Sequence, residues 1–275
     1  MNKKTALITG ASTGIGRATA ILLNEKGYTV YAGARRTERM KDLEQMGIHT
    51  FALDVTNEDS MATGVAAILK KEKSVDILVN NAGYGSYGAI EDVPIEEGKR
   101  QFEVNLFGMA RMIQLVLPGM RKNRYGKIIN ISSMGGKIWT PLGGWYHASK
   151  FAVEGFSDCL RLETRQFGID VTLIEPGGVK SEWADISADH IEQYSGNTAY
   201  ASMAHGYVKT MKKNYEGNNL SSPEEIANLV LKAISAKKPK TRYLYGFMAK
   251  PMVRMKSIIG DRGYDRMMLT FCKEK

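Results

Sequence analysis

Three side chains in this sequence have the types and spacing needed to move a proton on and off an oxygen atom. They are Ser133, Tyr146 thirteen residues later, and Lys150 four residues beyond that. On a helix, residues four apart lie one turn from each other on the same face. A phenol has an ordinary pKa of about 10 and is a poor proton carrier at neutral pH. A nearby ammonium group favours the phenolate and lowers that value, bringing it toward the working pH where acid–base catalysis is most effective. A serine hydroxyl beside the phenol would hold the oxygen that gains or loses the proton. The chemistry this implies is interconversion of a carbonyl and an alcohol. Tyr-x-x-x-Lys alone is common on solvated helices, so the surrounding chain has to decide. Ser132 and Ser133 are adjacent, and the interval to Tyr146 selects Ser133; neighbours at a strand end point to opposite sides. His147 follows the tyrosine directly and is turned away from that face.

These residues need a frame. Strand-like apolar runs occupy Thr5–Thr9, Thr29–Ala34, Thr50–Leu53, Ile77–Asn80, Lys127–Ile131, Val171–Glu175 and Arg242–Tyr245. Several are continuous apolar runs, as in strands buried on both faces. The intervening segments are long enough for crossover helices, for example Met61–Lys71 and Trp145–Phe167. This alternation predicts an α/β fold built on a doubly wound parallel sheet. The segment 180–219 breaks the rhythm with Trp183, Tyr194, Tyr200, Met203, Tyr207, Met211 and Tyr215. It follows the sixth strand, at the sheet edge where ligands bind, and reads as a mobile lid over an apolar pocket or as an insertion that only packs on the sheet.

After the first strand comes Thr9-Gly10-Ala-Ser12-Thr13-Gly14-Ile15-Gly16, followed by a helix. A strand, a glycine-rich turn and a helix N-terminus form a site for a dinucleotide pyrophosphate, because the backbone can approach closely and free N–H groups face the anion. The second strand ends Ala34-Arg35-Arg36. No acid stands there for a ribose 2′-hydroxyl, whereas a guanidinium can pair with a 2′-phosphate. The expected cofactor is therefore NADP(H) rather than NAD(H), with Arg35 the better placed of the two arginines.

With these residues in hand, the chain resembles the short-chain dehydrogenase/reductase family over roughly residues 3–236. The resemblance rests on the Thr9–Gly16 turn, Leu53-Asp54-Val55, Asn80-Asn81-Ala82-Gly83, Asn105, Ser133, Tyr146 with Lys150, and Pro176-Gly177. It implies one Rossmann-type domain over 1–246 with about seven parallel strands and helices on both faces. It also implies roles. Asp54 would bond the adenine amino group, with Val55 beside the ring. Asn81, Ala82 and Gly83 would line the adenosine ribose. Asn105 would hold a water linking Lys150 to solvent, and Lys150 would also bond the nicotinamide ribose. Tyr146 would act as acid in reduction and base in oxidation. Pro176, Gly177 and Val179 would flank the carboxamide, with Ser181 where the family usually has Thr. Thr13 stands where NADP-preferring members often carry a basic residue, which puts more weight on Arg35. Family members are commonly homodimers or homotetramers.

Tyr84, Trp139, Trp145 and Trp183, with the lid, suggest a large apolar pocket. The expected substrate is a hydrophobic ketone or aldehyde and its alcohol, with a hydroxysteroid favoured, as in the hydroxysteroid and retinol dehydrogenase-like members. The alternatives are a 3-oxoacyl or general carbonyl reductase and, as a different class, an NADP(H)-sensing module without turnover. The net charge of +9 is concentrated in residues 237–275, which hold eleven Lys or Arg against three acids. The body is nearly neutral, so no nucleic-acid partner is expected. The basic extension 247–275 carries Met248, Met252, Met255 and Ile259, then Tyr264, Met267, Met268 and Phe271, at helical spacing. It would pack on the body, bridge subunits, or lie on an anionic membrane surface. His49, His190 and His205 show no metal-ligand pattern. Two well-separated cysteines, a short N-terminal apolar run and the lack of an 18-residue apolar stretch point to a cytoplasmic protein.

Overall fold

Strand β1 (Thr5–Thr9) is buried along its whole length. Its side chains alternate between two cores, Ala6 and Ile8 into one and Leu7 into the other, as a strand covered on both faces requires. The computed structural model describes residues 3–216 and 219–272. Positions 217 and 218 of the expected lid and 273–275 of the extension lie outside the described residues. The other strands are β2 (Thr29–Ala34), β3 (His49–Ala52), β4 (Ile77–Asn80), β5 (Gly126–Ile131), β6 (Ile169–Pro176) and β7 (Arg242–Tyr245). All pair in parallel in the order β3-β2-β1-β4-β5-β6-β7. The observed boundaries lie within two residues of those read from the sequence.

The connections supply helices α1 (Gly14–Glu25), α2 (Lys41–Gln45), α3 (Glu58–Glu72), α4 (Ile95–Phe102), α5 (Gly108–Asn123) and α6 (Gly144–Thr164). Between β6 and β7 come α7 (Trp183–Ser195), α8 (Ala201–Glu216) and α9 (Pro223–Ser235), and α10 (Ala249–Thr270) follows β7. Helices α1 and α9 cover one face of the sheet through Leu23, Ile226 and Val230. Helices α3, α5 and α6 cover the other through Val65, Met112 and Val153. This is a Rossmann-type doubly wound α/β fold with a helical C-terminal extension.

The order in which strands are added reverses between β1 and β4, so the loops that follow them diverge at a crevice at the C-terminal ends of the strands. Two smaller apolar clusters roof this crevice. One lies under α7 and α8 around Tyr87, Ile191, Ala204 and Met211, and the other under α10 around Ile138, Met252, Tyr264 and Met268. The segment carrying α7 and α8 is pinned at its base. Lys180 N–H donates to the Ser221 carbonyl at 2.9 Å, and Ser221 N–H to Gly178 at 3.1 Å. Ser222 then caps α9 with Glu225 and Pro223 in the first turn, fixing where the lid ends.

The extension is a helix pair broken at Gly260, whose φ of 65° and ψ of 178° interrupt α10. Met252, Tyr264 and Met268 face inward, so the body takes up most of the apolar stripe that the sequence also offered to a membrane. Met255, Ile258 and Ile259 stay exposed near the break. No helix among the described residues is long and apolar enough to cross a membrane.

Candidate active site

The turn after β1 fits a dinucleotide because of what it lacks. Gly10 and Gly14 hold φ of 67° and 55°, the left-handed region that glycine enters freely. A side chain at Gly16 would meet Asn81 Nδ2 at 2.4 Å and the Gly10 carbonyl at 2.5 Å. Helix α1 starts with Thr13 extended at its cap, no side chain bonding its first N–H groups and no acid in its first turn. Such a terminus favours an anion. The β4 loop braces the turn. Asn81 Nδ2 donates to the carbonyls of Thr9 and Gly10 at 3.0 Å, and Thr9 Oγ1 accepts from Asn81 and Ala82 N–H at 3.0 Å.

Gly10, Ser12, Thr13, Gly14, Ile15, Arg35, Arg36, Asp54, Val55, Asn81, Ala82 and Gly83 line one continuous cavity of about 960 Å³. Asp54 Oδ1 accepts from Thr56 N–H and Oγ1 at 2.9 and 2.8 Å. Burial raises its pKa, but these bonds and the charges of Arg35 and Arg100 prevail and hold it below the usual carboxylate range. Arg36 and Arg39 both reach Glu182, at 4.0 and 3.2 Å. Arg35 is exposed and makes no ion pair among the described residues.

At the cavity's centre, Ser133 follows the extended end of β5 and its Oγ accepts from Gly135 N–H at 3.0 Å. The Ser133 hydroxyl is near enough to the Tyr146 phenol to favour its ionised form. Ser132 points instead into the protein interior, where its Oγ is buried. Lys150 Nζ donates to the Ile131 carbonyl at 2.9 Å and lies 6.0 Å from the Tyr146 ring centre. Here the structure corrects an expectation. Burial pushes the Tyr146 phenol up to about 12, opposed only by Ser133. The same burial pulls Lys150 down to about 8, opposed by Glu154. The lysine's amine is held by the Ile131 carbonyl, and its charge is not among the influences that set the phenol's pKa.

Asn105 sits in a widened turn, Glu103–Phe107, where Gly108 N–H reaches back to the Glu103 carbonyl. Such π turns are frequent at functional sites. Its side chain brackets the Tyr84 backbone, accepting from N–H and donating to C=O at 3.1 Å, and also donates to Ser149 Oγ at 3.0 Å. It clamps the β4 loop to α6. His147 is a strut. Its Nε2 accepts from Thr140 N–H at 3.0 Å and its Nδ1 bonds the Gly135 carbonyl at 2.9 Å. Those partners fix a neutral ring, and burial lowers its pKa.

Pro176, Gly177, Val179 and Ser181 line the cavity beyond β6. A side chain at Gly177 would lie 2.1 Å from the Phe247 carbonyl, so β7 and the chain after it back this loop closely. Tyr84 and Trp183 line the cavity. Trp183 lies 5.4 Å from the Tyr146 ring and 5.5 Å from Tyr87, which is itself 5.6 Å from Tyr146. Two expected lining residues are elsewhere. Trp145, one position before Tyr146, is rotated about 100° around α6 and packs against Phe102 and Gly98 of α4. Trp139 turns outward, 5.4 Å from Tyr264, and its Nε1 donates to Asp265 at 2.9 Å, docking α10. The inner wall comes instead from Tyr207, Met211 and Tyr215 of α8 and from Met252, Met268 and Phe271 in and beyond α10. The Tyr- and Met-rich composition pointed to α8. That the extension itself lines the site carried no sequence signal beyond its methionine spacing.

A family model described as short chain dehydrogenase matches residues 4–191, and the chain belongs to that family. It is an oxidoreductase of the alcohol/carbonyl pair. It is 40% identical over 248 residues to a 3-ketodihydrosphingosine reductase of Bacteroides thetaiotaomicron, covering 90% of this chain and 89% of that one. It is 35% identical over 274 residues to an NADPH-dependent 3-dehydrocapnine reductase of Ornithobacterium rhinotracheale, covering 95% and 94%. Among solved structures, a short-chain dehydrogenase from Streptomyces avermitilis superposes with a TM-score of 0.79 at 30% identity, covering 98% of this chain and 96% of that one.

Proposed function

We propose that this oxidoreductase uses NADPH to reduce a ketone carried on a long aliphatic chain. The observation that carries the reading is the cavity's extent. Tyr207, Met211, Met252, Met268 and Phe271 line the same cavity as Ser133 and Tyr146, so the reacting centre shares its cavity with apolar side chains of α8 and the C-terminal extension. Flexible thioethers suit a chain that must be accommodated along its length. The two curated relatives named above are reductases of 3-ketodihydrosphingosine and 3-dehydrocapnine, which supports the same substrate class.

The residues divide the work as follows. The glycine turn and α1 would hold the cofactor's pyrophosphate, Asp54 the adenine, Arg35 a 2′-phosphate, and Pro176 to Val179 the carboxamide. The nicotinamide supplies the hydride exchanged with the carbonyl carbon. Ser133 and Tyr146 would hold the carbonyl oxygen, and Tyr146 donates the proton. A phenol held protonated by burial is in the form that donates, which suits reduction. Lys150, with its value brought near 8, would restore that proton. The side chain of Asn105 is already engaged, so a water serving this relay would bond the backbone of its widened turn.

A homologous series of straight-chain ketones with NADPH tests the reading. We expect kcat/KM to rise about fourfold per added methylene while the chain extends along the cavity, from ~0.8 kcal/mol per buried CH₂. A flat series, or a steroid ketone or 3-oxoacyl thioester outrunning every member of it, would overturn the proposal.

A further inference from the structure

Beside Lys150 lies a carboxylate, Glu154, paired with a second, Glu175; the proton transfer above uses neither, and neither lines the cavity. Glu154 follows Lys150 by one turn on α6 and is 5% exposed, and Glu175 near the end of β6 is 2% exposed. Two cations bridge them. Arg242 Nε of β7 lies 2.9 Å from Glu154 Oε2 and 3.2 Å from Glu175 Oε1. Lys137 Nζ, from the segment after β5, lies 2.9 and 3.7 Å from the same two atoms. Arg242 also holds Asp158 at 2.7 Å, and Asp158 pairs with Arg161. The charge of Glu154 acts directly on Glu175. Among the described residues, Glu154 Oε1 and Ser132 Oγ are buried without a hydrogen-bond partner, and Glu175 Oε1 has only its ion pairs with Arg242 and Lys137. All this is packed around Gly136, where a side chain would come within 2.9 Å of Glu154 Cγ, 3.0 Å of the Lys150 carbonyl and 3.1 Å of Ser132 Oγ.

Two adjacent buried carboxylates do not readily ionise together, and a shared proton satisfies the facing oxygens. We propose that the Glu154–Glu175 pair, clasped by Lys137 and Arg242, stores one proton at neutral pH and, by releasing it as pH rises, is the positioning element that keeps the Lys150 ammonium charged beside the reacting phenol. With all groups ionised, Glu154, Glu175 and Asp158 balance Lys137, Arg161 and Arg242. One stored proton leaves the cluster net positive, which disfavours a charge on Lys150. Burial and the neighbouring Glu154 raise Glu175 to about 7, while burial lowers Lys150 to about 8. As pH rises through that interval the pair therefore gains its second negative charge just where the lysine would otherwise lose its proton.

The proposal rests on Tyr146 and Lys150 handling the proton, so its test uses one readout tied to turnover and one that is not. In pH profiles of kcat/KM, Glu154→Gln should move the alkaline limb down by about one pH unit, a typical effect of an opposite charge at contact distance, with Glu175→Gln moving it less in the same direction. Glu154→Asp should restore it. In infrared spectra, the wild type should show a protonated-carboxyl band at neutral pH that fades as pH rises toward 8 and is missing from both Gln variants. Unmoved alkaline limbs in folded Gln variants, or a wild-type band that is absent or that survives Glu175→Gln, would overturn the proposal. If no ketone is turned over, the reading of the reaction fails, and the band alone decides whether the pair stores a proton. If Glu154→Gln does not fold, Glu175→Gln, which keeps the shape and hydrogen-bonding capacity of the protonated acid, carries the test.

Discussion

The two ends of the cavity are built by opposite means. The cofactor end is backbone: glycines at positive φ, a helix terminus without a capping side chain, and Asn81 tied to two carbonyls of the turn it supports. The substrate end is side chain: rings and thioethers from α7, α8 and α10 leaning over Tyr146. The first tolerates little change in shape, because a single added carbon at Gly10 or Gly16 collides with main chain. The second is assembled from interchangeable apolar groups and can be retuned. One fold can thus keep its redox chemistry while changing its substrate.

The largest effect should come where the two ends meet. Tyr146→Phe keeps the ring packing against Tyr87 and Trp183 but removes the proton donor. Turnover should fall by about 10²–10⁴, the range for one acid–base group, while NADPH binding measured by fluorescence is unchanged. Near-normal turnover would erase the distinction between holding and reacting groups. Next is the rigid end itself. Gly16→Ala places a carbon 2.4 Å from Asn81 Nδ2 and 2.5 Å from the Gly10 carbonyl. It should abolish dinucleotide binding in calorimetry and lower the melting temperature, because the neighbour that must move is backbone.

Legibility in the sequence follows the same division. The sheet was readable because strands buried on both faces are continuous apolar runs, and the cradle's glycine turn because Gly10, Gly14 and Gly16 fall within seven residues and its chemistry is local. The canopy was not. Trp145 and Trp139 were expected at the cavity by proximity to Tyr146, but one turns to α4 and the other to α10. Which way an aromatic faces depends on packing partners more than a hundred residues away, as Trp139 and Asp265 illustrate. What spacing left out at Lys150 is burial. Spacing put the ammonium on the right face, but burial and the Ile131 carbonyl decided its pKa and direction.

Arg35 tests how far the cofactor end is specific rather than merely shaped. Arg35→Ala should weaken NADPH by about tenfold to a hundredfold, the 1.5–3 kcal/mol of a hydrogen bond to a charged group, and leave NADH unaffected. Equal losses for both cofactors would move the 2′-phosphate contact elsewhere, with Arg36 the next candidate once released from Glu182.

The smallest effect should lie farthest from the cradle, at the joint that seats the canopy. Trp139 holds α10 through one bond to Asp265 and ring contacts with Tyr264 and Lys256, the last with its Nζ 4.9 Å from the ring centre. Trp139→Phe keeps an aromatic surface but removes the N–H and weakens the cation contact, together worth about 1 kcal/mol at a partly exposed position. Since Trp139 does not line the cavity, its loss can reach the substrate only by loosening α10, which does. We expect KM for long-chain ketones to rise up to about fivefold, and amide exchange across α10 to quicken by a similar factor. Short ketones and NADPH should show no change, because neither needs the wall that Met252 and Met268 provide. A rise in the NADPH constant would mean that the canopy and cradle are mechanically coupled, with Glu182 and its two arginines the place to look for that coupling.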